Sequence, residues 1–311
     1  MKVLITGAGG FIGSSLVNGL AIGGHDVVAV ARTPVAGKTG AKAGASVTAV
    51  TMSVEKSALA PLLLKHQPDA LIHCAGTATV SQAQLDPGQD FRNTVMTASE
   101  ALEAVSEFSP NCLFILISSA AVYGDHGSVP LCESLALQPI SAYGFGKVMA
   151  ELLVQQYANQ FGIKTLVVRP FSVYGEQQQK QVVFDMCGKL VQHPYELSIL
   201  GSGEEVRDFL HIDDLVVAVT RLMEQRYTGI VNLGTGIPTT IADLVKNIAR
   251  QLATPTRIVF TGDGRRTDPR HLVADISLSR ELGISPVVDL HRGLQRVCAA
   301  ALATAAQGCM Q

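Results

Sequence analysis

Val3-Leu4-Ile5-Thr6-Gly7-Ala8-Gly9-Gly10-Phe11-Ile12-Gly13 lies at the start of the chain and decides how the rest is read. An apolar run of strand length leads directly into Gly7, Gly10 and Gly13, and an apolar stretch of helical length follows over Phe11–Leu20. Gly7 permits the sharp turn out of the strand. Gly10 lets a pyrophosphate approach backbone N–H groups, and Gly13 lets helix and strand pack closely. Strand, glycines and helix in that order read as a dinucleotide cradle, with Phe11 and Ile12 in its turn.

Outward from this unit, strand-like runs alternate with longer amphipathic stretches. Strands are expected at Asp26–Ala31, Ala70–Ala75, Leu113–Ser118 and Thr165–Arg169, and helices at Ala58–His66, Phe91–Phe108 and Tyr143–Phe161. Such alternation implies right-handed crossovers and a parallel sheet covered on both faces, which also explains why the strands are continuously apolar. The expected class is α/β, a Rossmann-type doubly wound parallel sheet with a smaller C-terminal substrate-binding lobe. The first domain is expected over 1–170, with a later segment near 206–235 returning to it. The lobe is discontinuous within 171–311. Past Pro170 the reading gives a polar loop at Glu176–Gln181, helices at Val182–Gln192, Leu215–Glu224, Ile241–Leu252 and Leu290–Ala305, and a strand at Gly229–Leu233.

The composition removes several function classes. The 311 residues are 47% hydrophobic and carry a formal net charge of -2, without blocks of either sign, so nothing favours a nucleic acid as partner. No apolar run reaches the roughly 20 residues that span a bilayer, and the opening segment is too short for a signal peptide. Cys74, Cys112, Cys132, Cys187, Cys298 and Cys309 show neither CxxC spacing nor a metal-ligand grouping. They read as reduced thiols, no metal is expected, and the cytoplasm is the expected compartment.

Val30-Ala31-Arg32-Thr33 ends the second strand without the carboxylate that usually receives the ribose hydroxyls of NAD. Arg32 is suited to bond a 2′-phosphate bidentately, so NADP(H) is the expected cofactor, with NAD(H) as the other possibility. Arg32 as a solvated loop residue is the plainer alternative. Tyr143 and Lys147 stand four apart and share a helix face. An ammonium beside a phenol favours the phenolate and makes it a proton-transfer group. Ser119 follows a strand that ends at the cofactor crevice and offers a hydroxyl to a substrate oxygen. A lone Tyr-x-x-x-Lys is a helix-surface coincidence; with Ser119 and the glycine cradle it is a catalytic set.

Thr6–Gly13 (TGAGGFIG), Ser118–Gly124 (SSAAVYG), Tyr143–Lys147 (YGFGK), Arg169–Gly175 (RPFSVYG) and Arg207–Asp213 (RDFLHID) together resemble the extended short-chain dehydrogenase/reductase family. More narrowly, they are similar to its nucleotide-sugar epimerases, dehydratases and ketoreductases. The resemblance implies that Ser119, Tyr143 and Lys147 are catalytic. It implies that Asn93 lies near the cofactor crevice, with Ala75, Gly76 and Pro170 also on the cofactor side. It places Arg207 on the substrate diphosphate, with Ser172 and Val183 in the substrate pocket. Arg266 and Asp268 resemble a nucleotide-binding Arg-x-Gly-Asp segment in which Thr267 stands for glycine. From the residues alone, Arg207 reads equally as an ion pair with Glu204, Glu205 or Asp208, and Asp213 reads as a helix N-cap. The substrate implied is a nucleotide-diphosphate sugar. A homodimer joined through Phe91–Phe108 and Tyr143–Phe161 is also implied.

Ala120 and Ala121 occupy the positions where the family's 4,6-dehydratases carry an acidic pair, and they move no protons. Ala31 stands where 4-epimerases usually keep an acid, and Ser172 replaces a family asparagine. The expected reaction is therefore NADPH-dependent reduction of a nucleotide-linked 4-keto-6-deoxysugar. The first alternative is a nucleotide-sugar 4-epimerase of the UDP-hexose type with tightly bound NAD. The second is a regulator that binds NADP without turnover.

Overall fold

The computed structural model describes residues 1–34, 44–77, 79–193, 195–262 and 269–308. Seven strands form the main sheet in the order β11-β6-β5-β4-β1-β2-β3. They are β1 (Lys2–Thr6), β2 (Asp26–Ala31), β3 (Val47–Thr51), β4 (Ala70–His73), β5 (Leu113–Ile117), β6 (Thr165–Pro170) and β11 (Gly229–Leu233). Every pairing from β6 through β3 is parallel. The order reverses beside β1, so the ends of β1 and β4 flank the switch point where an open α/β sheet binds its ligand. The fold is the doubly wound Rossmann type expected from the opening residues.

The crossover helices are α1 (Phe11–Ile22), α2 (Lys56–His66), α3 (Val80–Leu85), α4 (Pro87–Phe91), α5 (Thr97–Phe108) and α6 (Ala142–Phe161). On one face of the sheet, Leu59 and Leu63 of α2, Leu102 and Val105 of α5 and Val154 of α6 pack with Leu4, Leu71 and Phe114 in a continuous apolar core. The helix expected over Phe91–Phe108 starts earlier and is interrupted. Asp86 caps α4 by accepting the Gln89 N–H at 2.8 Å, with Pro87 in the first turn. A π-helical turn over Arg92–Met96 then separates α4 from α5. Strand β3 gave no continuous apolar signal because it is the sheet edge and largely exposed.

The chain forms two compact units. The first is Met1–Gly124, Glu133–Pro170 and Val216–Asn232; the second is Asp125–Cys132, Phe171–Leu215 and Leu233–Gln311. The remaining elements are β7 (Ser172–Tyr174), α7 (Val182–Gln192), β8 (Glu196–Ile199), β9 (Val206–Arg207), β10 (Phe209–His211), α8 (Ile212–Glu224), β12 (Thr239–Thr240), α9 (Ile241–Gln251), β13 (Arg257–Phe260), β14 (His271–Leu272), α10 (Ser277–Glu281) and α11 (Leu290–Gly308). Within the second unit, β7 pairs β10, β8 pairs β13, and β9 lies between β12 and β14. These strands have four residues or fewer, too few to show a period in the sequence. Residues of α7, α9 and α11 close that unit's own apolar core, which includes Leu190, Ile248 and Leu294.

Candidate active site

The glycine loop is shaped by contacts that leave no room for side chains. Gly7 has φ +70°, and a Cβ there would fall 2.5 Å from the Ala75 nitrogen. A Cβ on Gly13 would lie 2.2 Å from the Gly7 carbonyl oxygen. The loop is closed by the Gly10 N–H donating to the Gly7 carbonyl at 3.0 Å. Gly10 is the N-cap of α1 and brings no side chain, and among the described residues no side chain takes the donors of the first turn. Bare backbone donors at a helix start, walled by glycine, fit the pyrophosphate of a dinucleotide. Ala75 and Gly76 continue β4 at the same end of the sheet. Arg32 follows β2, is exposed, and makes no ion pair among the described residues. The Thr33 hydroxyl lies 3.6 Å from the position of a Cβ on Gly9, at the rim of the loop.

Ser119, Tyr143 and Lys147 all belong to the first unit. Ser119 follows β5, and its hydroxyl accepts the Ala121 N–H at 3.2 Å, opening a short 3-10 turn over Ala120–Val122. That turn presses on α6 at Gly144, where a Cβ would sit 2.7 Å from the Ala121 carbonyl oxygen. Gly144 follows Tyr143, so glycine there lets the serine turn reach the tyrosine end of the helix. Ser141 caps α6 by accepting the Gly144 N–H at 3.1 Å. Tyr143 is half-buried, and its hydroxyl makes no hydrogen bond among the described residues. Lys147 is buried; its Nζ donates to the Ile117 carbonyl at 2.9 Å and lies 5.8 Å from the centre of the Tyr143 ring. The same Nζ is 3.6 Å from the position of a Cβ on Gly76. The ammonium is thus held between the tyrosine ring and the end of β4.

A buried polar network backs these residues. Glu151 lies one turn beyond Lys147 on α6, and its carboxylate receives the Ser118 hydroxyl at 2.5 Å and Arg169 Nη2 at 2.6 Å. Arg169 Nη1 donates to the Tyr123 hydroxyl at 2.9 Å, and that hydroxyl donates to Asn232 at 2.7 Å. Of the adjacent serines, Ser118 is therefore committed to the interior, while Ser119 is half-buried and its hydroxyl, among the described residues, bonds only the Ala121 N–H. Beneath the glycine loop, Thr6 bonds His73 Nδ1 at 2.8 Å. Burial first, then the Lys147 charge, pushes His73 down to about 3, so it is neutral at working pH. Burial pushes the Cys74 thiol up to about 12, which removes a competing nucleophile. Lys147 supplies the cation of this site.

The glycine loop, with Tyr143 and the buried Lys147 on one helix face of the same unit, can be set beside what is known of similar proteins. Residues 3–234 match the NAD dependent epimerase/dehydratase family. The chain belongs to that family. Its fold is that of the extended short-chain dehydrogenases/reductases, and it is an NAD(P)-dependent oxidoreductase/epimerase of that type. UDP-glucose 4-epimerase from Mycolicibacterium smegmatis is 28% identical over 95% of this chain and 97% of its own. UDP-glucuronic acid decarboxylase 3 from Arabidopsis thaliana is 29% identical over 94% and 87%. Among solved structures, the Thermotoga maritima UDP-glucose 4-epimerase with UDP-glucose is 27% identical, covers 98% of this chain and all of its own, and has a TM-score of 0.87. The Bacillus cereus UDP-glucuronic acid 4-epimerase, in complex with UDP-glucuronic acid and NAD, is 27% identical over 98% of this chain and 100% of its own, with a TM-score of 0.86.

Two expectations from the sequence go beyond what these relatives support. The preference for NADP(H) rested on the missing second-strand acid and on Arg32, and it finds no support where the similar structure holds NAD. The 4-ketoreductase reading likewise finds no support, and the relatives favour its 4-epimerase alternative. The absence of a second-strand acid weighed for both readings, but it is a single position against a likeness that spans the chain.

The structure also sorts the other expected site residues of this family member. The Asn93 side chain accepts from Gln89 Nε2 at 2.9 Å, whereas the neighbouring Thr94 is buried with its hydroxyl 3.4 Å from the position of a Cβ on Gly76. The π-helical turn sets this phase, and helical periodicity alone does not reveal it. Pro170 ends β6 and is buried. Ser172, Val183 and Arg207 belong to the second unit. The Ser172 N–H donates to the Asp208 carbonyl at 2.9 Å. Val183 is an apolar residue on the inward face of α7 and is drawn into that unit's core, leaving Phe184 as the exposed neighbour. Arg207 Nη1 donates to the Val206 carbonyl at 2.8 Å. Of its expected acidic partners, Glu205 receives the Ser202 and Gly203 N–H groups, and Asp208 receives those of Thr235, Gly236 and Ala274. Asp213 is not an N-cap: it lies in the first turn of α8 and pairs with Arg296 at 2.8 Å. Arg266 and Asp268 lie outside the described residues. Among the described residues there is no group of side chains suited to a metal ion, and no helix is long and apolar enough to cross a membrane.

Proposed function

We propose that this protein is a nucleotide-sugar 4-epimerase acting on a UDP-hexose or UDP-hexuronic acid with NAD held as a resident cofactor. The observation that carries the reading is Lys147 Nζ set between the Tyr143 ring and Gly76, next to a turn whose Ala120 and Ala121 bring no acid of their own. A site with one phenol and no second acid-base group suits a reaction whose proton leaves and returns through the same oxygen.

Gly7, Gly10, Gly13 and the start of α1 would hold the pyrophosphate, Arg32 and Thr33 the adenosine ribose, and Lys147, Gly76 and Ala75 the nicotinamide end. A bound nicotinamide would supply reversible hydride transfer at C4 of the sugar. Tyr143 removes the proton from the C4 hydroxyl as the ketone forms and restores it as the hydride returns to the opposite face. Lys147 favours the phenolate that lets Tyr143 accept this proton, and the Ser119 hydroxyl hydrogen-bonds the sugar oxygen. Arg207 and Ser172 are assigned to the nucleotide-sugar, with the second unit as substrate lobe.

The protein is also assigned as a homodimer. Phe145, Met149 and Leu152 recur at i, i+4 and i+7 on α6 and are 53%, 37% and 56% exposed, an apolar stripe suited to a second copy. Light scattering checks this, and a monomeric mass would remove it. The reaction is tested by incubating the purified protein with UDP-glucose, UDP-galactose or UDP-glucuronic acid without added cofactor, following products by NMR. Interconversion at C4, with NAD recovered from denatured protein, supports the epimerase. Release of CO2 from UDP-glucuronic acid points to decarboxylation instead. Stoichiometric NADPH oxidation with a 4-keto sugar would restore the reductase.

A further inference from the structure

Asp90 is 3% exposed and lies on α4, facing the catalytic helix. A carboxylate removed from water is costly unless it is hydrogen-bonded. Its Oδ1 accepts the Thr94 hydroxyl at 3.3 Å. Its Oδ2 occupies a notch on α6 at Gly146, where a Cβ would lie only 2.8 Å away. Gly146 directly precedes Lys147, so the helix gives up a side chain there to admit Asp90.

The Thr94 hydroxyl has a fixed direction as a result. Its proton goes to Asp90, and its oxygen accepts the Thr77 N–H at 3.2 Å. That oxygen and Lys147 Nζ lie 3.4 and 3.6 Å from the position of a Cβ on Gly76. Gly76 has φ +154°, a conformation that side-chain-bearing residues rarely adopt. The end of β4 is thereby set between a hydroxyl fixed by Asp90 and the catalytic ammonium. Thr94 reaches this place because the π-helical turn over Arg92–Met96 changes the helical phase at that point, a device found often at functional sites.

We propose that Thr94, oriented by Asp90, is a positioning residue for the nicotinamide-ribose end of the cofactor site. It acts through the Gly76–Thr77 backbone and not by touching the reacting atoms. The inference rests on the reading that Gly76 and Lys147 face NAD, and it is independent of which sugar is turned over. Thr94→Val keeps the shape and removes the hydroxyl, Thr94→Ser keeps the hydroxyl, and Asp90→Ala removes the acceptor that orients it.

The test measures the dissociation constant for NAD+ on full-length protein stripped of nucleotide, with the melting temperature and UDP-sugar turnover alongside. Losing the hydrogen bond and stranding a buried carboxylate should weaken NAD+ binding about tenfold in Thr94→Val. Thr94→Ser should recover to within about threefold, and Asp90→Ala should weaken binding in the same direction. Where Thr94→Val does not fold, Asp90→Ala and Thr94→Ser give the same comparison. NAD+ affinity unchanged in Thr94→Val, or in Asp90→Ala, overturns the proposal even if the melting temperature falls, because the residue is then merely structural. Since NAD+ binding needs no sugar, wild-type protein that binds NAD+ but leaves every UDP-sugar untouched defeats the epimerase assignment without touching this result.

Discussion

Removing the negative charge of Glu151 should be the most damaging conservative change in the first unit. Glu151 and Arg169 are 6% and 2% exposed, and the pair is bonded through Nε as well as Nη2. In Glu151→Gln the guanidinium stays buried with no counter-charge, and the new amide group must point a donor at Arg169 or at Ser118. Breaking a buried pair from one side costs about 3–5 kcal/mol. Ser118→Ala removes one hydroxyl bonded to a charged group and should cost about 2 kcal/mol. The double variant Glu151→Leu/Arg169→Met removes both charges and should be less destabilised than the sum of Glu151→Leu and Arg169→Met, giving a coupling energy of opposite sign to the single losses. The chain has no tryptophan, so urea unfolding is followed by far-UV circular dichroism. Turnover by the folded fraction should also fall, since Ser118 adjoins Ser119 and Glu151 follows Lys147 on α6. A loss below about 1 kcal/mol in Glu151→Gln, or a double variant worse than the sum of its parts, would show that the network does not hold the site as argued.

Tyr143→Phe should lower kcat by about 10²–10⁴ while the nucleotide content of the purified protein stays at the wild-type level, as chromatography of the released nucleotide would show. Gly146→Ala should destabilise by about 1–3 kcal/mol because its methyl group meets Asp90; a variant as stable as wild type would mean that Asp90 has room to retreat. Acid should destabilise the fold in two windows. His73 is held below its ordinary value, so from about pH 6.5 downward the unfolded chain takes a proton that the folded chain refuses. Its stabilisation is complete above pH 6.5 and falls by about 1.4 kcal/mol per pH unit toward pH 3, with His66, also lowered by burial, adding in the same direction. Glu176 is pulled down to about 2, first by the His211 imidazole 3.3 Å away and with help from Arg296, and loses its contribution only below about pH 4.5. Denaturant midpoints that stay level between pH 7 and 5 would contradict the His73 assignment.

Much of this architecture can be read from the chain because its signals are local. A strand running into Gly7, Gly10 and Gly13 has few physical readings, and Tyr143 and Lys147 share a helix face by arithmetic alone. The continuously apolar strands announced a sheet buried on both faces. The edge strand β3 escaped because exposure leaves no apolar signal, and the two- to four-residue strands of the second unit are shorter than any period that could reveal them. Asp213 looked like a cap because an acidic residue before a helix usually is one; its pairing with Arg296, 83 positions away, was not visible locally.

The sequence by itself determined the glycine loop at the head of the sheet, the side-chain types of the candidate site and the family, since each is written in neighbours within one or two turns of chain. Only the tertiary structure decided which of two adjacent serines is committed to the buried Glu151 network, why glycine flanks Tyr143 and Lys147, and that Thr94 is the residue brought beside Gly76. Those outcomes depend on approaches of about 3 Å between segments distant in sequence, and on a change of helical phase that periodicity cannot foresee.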